Sequence, residues 1–166
     1  MATEDDCQFV IDEDVPVRLG DEQARAWTGL LRAHRRLTRA LEAGLQDRHG
    51  LSLSALELLA RLAAAEQHRM RIARLAEQAG VSLSRTSRLL DELGRRQLVA
   101  REPCPEDSRA SNVRLTDGGL RLARAAQADH VADVRRAFVE PLTAEQVSAL
   151  AAAFDRLAPP RTPGVQ

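Results

Sequence analysis

Two short stretches of this chain combine arginine with small polar side chains. Ser82, Leu83, Ser84, Arg85, Ser87 and Arg88 fall within a single seven-residue segment, and Asp107 and Arg109 flank Ser108 further on. A guanidinium offers a planar fork of N–H donors that fits phosphate oxygens or the acceptor edge of guanine, and a serine hydroxyl can donate to phosphate. Asp107 is close enough in sequence to hold the Arg109 guanidinium in place. The chemistry these residues suit is recognition of a patterned anion, not the making or breaking of bonds.

Charge distribution agrees. The chain has 24 basic and 24 acidic side chains, every base being arginine, so its net charge is zero. Residues 1–19 nevertheless hold six acids against Arg18, a net of −5, and residues 69–101 hold eight arginines against Glu77, Asp91 and Glu92, a net of +5. Phosphates respond to charge within about 8–10 Å, one Debye length, so the clustering matters more than the sum. Composition, 44% hydrophobic and 29% charged, is that of a soluble globular protein. No apolar run approaches the roughly 20 residues of a membrane span, and no signal peptide is present, so a cytoplasmic location is expected. Cys7 and Cys104 are too few for a disulfide framework or a four-ligand zinc site, and the four histidines lack metal-ligand spacing, so no metal or cofactor is expected. Gly-rich phosphate loops, metal-binding His pairs and Gly-x-Ser-x-Gly elbows are absent, which argues against an enzyme.

The elements that must carry these residues are mainly helices. Trp27, Leu30, Leu31, His34, Leu37, Leu41 and Leu45 predict a helix from Asp21 to about Arg48 with one buried stripe, ended by Gly50. Ser54 and Glu57 read as a capping box for a helix to about Ala65 that buries Leu56, Leu59 and Leu62. A turn or minimal strand near 69–72 leads into a short helix over 72–79. Gly80 then makes a turn, and Ser82 caps a helix to about Arg96 with Thr86, Leu89, Leu90 and Leu93 facing inward. Leu83, Ser84, Arg85, Ser87 and Arg88 are left pointing outward near its N-terminus, where recognition helices meet base edges. Strands over 98–102 and 111–115 form a hairpin whose loop holds Pro103 and Pro105, which rule out a central strand through it. Thr116 caps a long helix to about Glu140, with Leu120, Ala123, Gln127, Val131, Val134 and Phe138 as its buried series. Pro141 breaks it, and a Thr143–Gln146 capping box starts a last helix carrying Val147, Leu150, Ala151, Phe154 and Leu157. A short strand or turn around 9–11 is compatible with the acidic start.

The run from Ile72 to Thr116, with Asp107-x-Arg109 and the closing Leu115-Thr116, resembles the MarR (multiple antibiotic resistance regulator) family, and the likeness extends over about 21–158. The resemblance implies a mainly α fold with a small β wing, a winged helix-turn-helix domain between N- and C-terminal dimerisation helices. It implies a homodimer on a pseudo-palindrome of double-stranded DNA, with Ser82–Arg88 in the major groove and Arg109 in the minor groove. It further implies that a small, often phenolic, ligand can release the DNA. The expected organisation is a flexible acidic extension over 1–19, a dimerisation helix within 20–50, the DNA-binding domain over 51–116, further dimerisation helices over 117–158 and a flexible tail over 159–166.

The helix from Thr116 to Glu140 would be about 36 Å long at 1.5 Å per residue, more than a three-helix winged domain can cover. A two-fold interface is the natural cover for its distal face, with folding back into a larger monomeric bundle as the other solution. Trp27 and His34, seven residues apart on one face, could line a pocket for an aromatic acid or pack within that interface. A repressor is the expected role. A winged-helix protein-interaction module is the rival reading, although it has no need of arginine at 85, 88 and 109. A redox-responsive regulator would use Cys7 or Cys104, but the acidic surroundings of Cys7 should raise its thiol pKa.

Overall fold

The structure, a computed structural model, describes residues 19–104 and 107–158, with the backbone alone at 104 and 107–110. The acidic extension up to residue 18, including the strand or turn expected near 9–11, and the tail from 159 lie outside it. Helix α1 spans Asp21–His49 and stops at Gly50, which takes the left-handed conformation (φ +61°) and returns its N–H to the carbonyls of Leu45 and Gln46. Of the stripe read as buried on α1, Leu45 alone is buried within the chain; Trp27 is 43% exposed and Leu30 and Leu31 each 37%. Spacing selects a shared face, and what covers that face is a tertiary matter.

Helix α2 (Leu53–Ala64) is capped by Ser52, whose hydroxyl accepts from the Ala55 N–H at 3.1 Å. The expected Ser54–Glu57 box does not form. The helix begins two residues earlier because Glu42 of α1 accepts the Leu53 N–H (2.9 Å), which leaves Glu57 to pair with Arg61 one turn on (2.6 Å). Leu58 is buried together with Leu56, Leu59 and Leu62. A turn at Glu66–His68 leads to β1 (Arg69–Arg71), then α3 (Ile72–Ala79), Gly80 (φ +65°) and α4 (Leu83–Arg95).

Strands β2 (Val99–Cys104) and β3 (Asp107–Leu115) form a longer hairpin than expected. The sheet is antiparallel in the order β1-β3-β2, with Val113 opposite both Met70 and Arg101. Pro103 lies inside β2, opposite Ser111, which corrects the expected end of the strand at 102 and the placing of Pro103 in the loop. β2 is an edge strand, where a missing N–H is tolerated, and the register shifts immediately after Pro103.

Helix α5 (Asp117–Val134) continues through a π-helical turn at Arg135–Val139, closed by the Glu140 N–H on the Arg135 carbonyl (2.9 Å), just ahead of Pro141. Its buried face runs through Gly119, Ala123 and Ala126; Gln127 is exposed and Val131 is 60% exposed, so two members of the expected series lie off it. Helix α6 (Ala144–Leu157) has the Thr143–Gln146 capping box as expected, yet buries none of its residues. In its first turn the Glu145 carboxyl is held below the usual range by its own backbone N–H and the Thr143 hydroxyl. Among the described residues no helix is long and apolar enough to cross a membrane.

The core gathers Leu45, Leu58, Leu59, Leu62, Leu75, Leu90, Leu93 and Val113, and so joins α1, α2, α3, α4 and the sheet. Burial of each such side chain contributes about 1.5–3 kcal/mol. Thr86 faces this core from α4, fully buried, with its hydroxyl unpartnered. At the start of α5, Thr116 accepts the Gly119 N–H (3.0 Å) and donates to the Gln97 carbonyl (2.8 Å), and a Cβ on Gly119 would stand 2.0 Å from the Leu98 oxygen.

Gly119→Ala should therefore destabilise the protein by about 1–3 kcal/mol, the usual range for forced overpacking, seen as a lower urea midpoint. An unshifted midpoint would show that α5 can step back freely. Thr86→Val removes a buried, unbonded hydroxyl and should raise stability by about 1–2 kcal/mol; a loss in the same urea titration would mean that the hydroxyl has a partner.

Candidate nucleic-acid interface

Gly80 lets the chain turn sharply between α3 and α4, and Ser82 caps α4 by accepting the Arg85 N–H (3.4 Å). Thr86, Leu90 and Leu93 bury one side of the helix, which turns Leu83, Ser84, Arg85 and Arg88 outward. Leu83 is 54% exposed, an uncommon placement for leucine, and it sits beside two serine hydroxyls 3.3 Å apart, those of Ser82 and Ser84. Arg85 reaches Ser54 at the start of α2 with one N–H (3.4 Å), leaving most of its donor edge open. Arg88 has no hydrogen bond or ion pair among the described residues. Ser87 is half-buried, not fully outward, and its carbonyl accepts from Arg101 (3.3 Å).

Arg101 sits on β2 and also pairs with Asp91 of α4 (2.8 Å), so the hairpin is fastened to the exposed helix. Glu102, next along, accepts from Arg114 (2.7 Å) and lies 3.9 Å from Arg69, linking all three strands. Arg96, just past α4, donates to the carbonyls of His49 and Gly50. Several of the eight clustered arginines are thus engaged within the fold, whereas Arg74, Arg85, Arg88 and Arg95 are exposed and make no ion pair among the described residues. These internal ties are what sequence reading missed. Arg101 and Asp91 lie ten residues apart on different elements, so no periodicity marks the pair.

The Cys104–Asp107 pairing closes the hairpin, with Arg109 two residues into β3. The side chains of Asp107 and Arg109, and the expected contact between them, lie outside the described residues, as do Cys7 and the Cys104 thiol. Trp27 and His34 do come together along one apolar groove of about 800 Å³, walled also by Leu37, Leu41, Phe138 and Phe154. Among the described residues no group of three His, Cys, Asp or Glu side chains is placed to hold a metal ion.

A sequence model of the MarR family matches residues 49–110, from the end of α1 to the start of β3. Among solved structures the chain is similar to AbsC, a MarR family transcriptional regulator from Streptomyces coelicolor. The two are 36% identical over 86% of this chain and 95% of AbsC, with a TM-score of 0.78. Sco3205, a MarR family transcriptional regulator of the same organism solved in complex with DNA, is 32% identical over 87% of this chain and 91% of its own, with a TM-score of 0.79. A cysteine-to-serine variant of MarR from E. coli, complexed with operator DNA, shares the fold (TM-score 0.70) at 22% identity, over 86% of this chain and 100% of its own. With a winged helix-turn-helix in this setting and 36% identity to AbsC over most of both chains, the chain belongs to the MarR family of transcriptional regulators.

Proposed function

We propose that the protein is a DNA-binding repressor that grips a pseudo-palindromic operator as a homodimer. In this reading α4 enters the major groove with Ser82, Leu83, Ser84, Arg85, Ser87 and Arg88, and the hairpin brings Asp107 and Arg109 to the minor groove. The observation that carries it is the exposed N-terminal turn of α4, with Arg88 unpaired, held beside a hairpin by the Arg101–Asp91 ion pair. Nitrogen forks and hydroxyls gathered at the positive end of a helix dipole suit a polyanion. The DNA complex formed by Sco3205, a relative at 32% identity, favours the same kind of partner here.

The homodimer reading rests on apolar surface that a single chain leaves uncovered. The groove between α1, the π-helical turn and α6 is lined almost wholly by carbon, and Phe154 and Leu157 are 39% and 73% exposed. Surface of this kind, to which no residue of the DNA-reading helix contributes, is suited to a self-complementary two-fold contact. Two copies then present two recognition helices about 34 Å apart, one turn of DNA.

A second reading concerns release. The indole of Trp27 and the imidazole of His34 border the same groove, whose volume is within the range of about 300–1,000 Å³ that small-molecule sites occupy. A small aromatic acid seated there would compete with, or reshape, the contact between copies.

Arg109→Ala should weaken operator binding by about 1–3 kcal/mol and lower the slope of log K against log salt by about one. Unchanged affinity in a fluorescence-anisotropy titration would take the wing out of the mechanism. Leu150→Asp, on the groove wall, should split the dimer in sedimentation by placing an unpaired carboxylate in the contact; an intact dimer would move the interface elsewhere.

A further inference from the structure

The exposed helix α4 rests on α3 and β2, whereas α1 rests on α5 and α2. Between the C-terminal ends of α4 and α1 lies a small cavity of about 80 Å³, bordered by Gln46, Leu51, Leu89, Glu92 and Arg96. At that point the two helices are not in direct contact, although Leu45, Leu90 and Leu93 meet in the core nearby. Arg96 spans the gap. Its guanidinium donates through Nη1 to the Gly50 carbonyl (2.6 Å) and through Nη2 to the His49 carbonyl (2.9 Å). Both acceptors lie at the C-terminal end of α1, where carbonyls lack helical partners and the helix dipole is negative.

The same end of α1 is anchored on its other side. The His49 Nε2 lies 2.8 Å from Asp129 Oδ2, and Arg48 is 3.6 Å from Asp129 and paired with Asp133, both aspartates belonging to α5. Gly44 makes room for this, since a Cβ there would stand 2.8 Å from Asp133. Arg96, one residue beyond the DNA-reading helix, is therefore tied by a fork to α1, which walls the groove of the proposed dimer and is itself pinned to α5.

We propose that Arg96 is a positioning residue: by bridging to the end of α1 it sets the angle of α4 against the α1–α5 pair, and through that angle the spacing of operator half-sites the protein accepts. The inference rests on the homodimer reading above. Arg96 lies twelve residues from Ser84, about 18 Å along the helix axis, so it acts through α1 and not on the bases. A geometry fixed in advance lets the second half-site bind at a high effective concentration, and a loosened angle forfeits that gain without touching either site.

The test uses the full-length protein and the inverted repeat that the wild type selects from random oligonucleotides. Affinity is measured by anisotropy for that repeat, for a duplex carrying one half-site, and for repeats with the spacer lengthened by one or two base pairs. Arg96→Ala should lose tenfold or more on the full repeat, change less than twofold on the half-site, and discriminate less between spacers, with the salt slope on the half-site unchanged. Arg96→Lys, which keeps the charge but cannot fork, should fall between and is read in the same way if the alanine variant does not fold. Equal losses on full and half-sites, or a salt slope reduced by about one, would make Arg96 a stability or phosphate residue and overturn the proposal. So would an unchanged affinity and spacer preference. A wild type that selects no inverted repeat would instead overturn the operator reading beneath it.

Discussion

The carbonyl of Leu98 is the point on which three elements converge. It accepts the Thr116 N–H at 3.0 Å, lies 3.1 Å from the Thr116 hydroxyl, and faces the bare Cα of Gly119. Leu98 follows α4 and precedes β2, while Thr116 follows β3 and caps α5. This close approach therefore sets where the hairpin leaves the body and where the long helix departs from it. Side chains larger than hydrogen at 119 would push α5 away from the turn, and the hairpin roots at Val99 and Leu115, both buried, would lose their common floor. The positions of α4 and the hairpin relative to each other descend from this contact, with Arg101 and Asp91 adding a polar tie nearer the exposed end.

Much of this fold is written in local signals. Gly80 and Ser82 mark the turn and the helix start, Thr116 and the Thr143–Gln146 box mark two more, and Ile72, Leu75 and Ala76 mark a buried face. These are legible because each depends on residues within one helical turn. What was misread depends on residues distant in sequence. Ser54 has the right neighbours for a cap, but Glu42 from another helix shifts the start to Ser52. Pro103 looked like a stop because the strand's place at the sheet edge is not a local property. On α5 a period of 3.6 admits neighbouring faces, and packing against α1 and α2 selects the one through Ala126 rather than Gln127.

The candidate site was legible in the same uneven way. The outward placement of Leu83, Ser84, Arg85 and Arg88 follows from the inward spacing of Thr86, Leu90 and Leu93. The local net charge, by contrast, overstated the free cations. Arg96 and Arg101 spend donors on α1 carbonyls and on Asp91, and Arg69 lies within ion-pair distance of Glu102, contacts that serve the scaffold. A charge sum along the sequence carries no information on which guanidiniums are already engaged, and only the three-dimensional arrangement separates the two groups.

The three-stranded sheet has an implication for solubility. Both of its outer strands offer unpaired backbone groups, the feature through which sheets add strands from other molecules. β1 is three residues long, too short to template a foreign strand, and β2 carries a proline that withholds one donor and sits at a register shift. Both edges of the sheet are thereby poorly suited to cross-chain pairing.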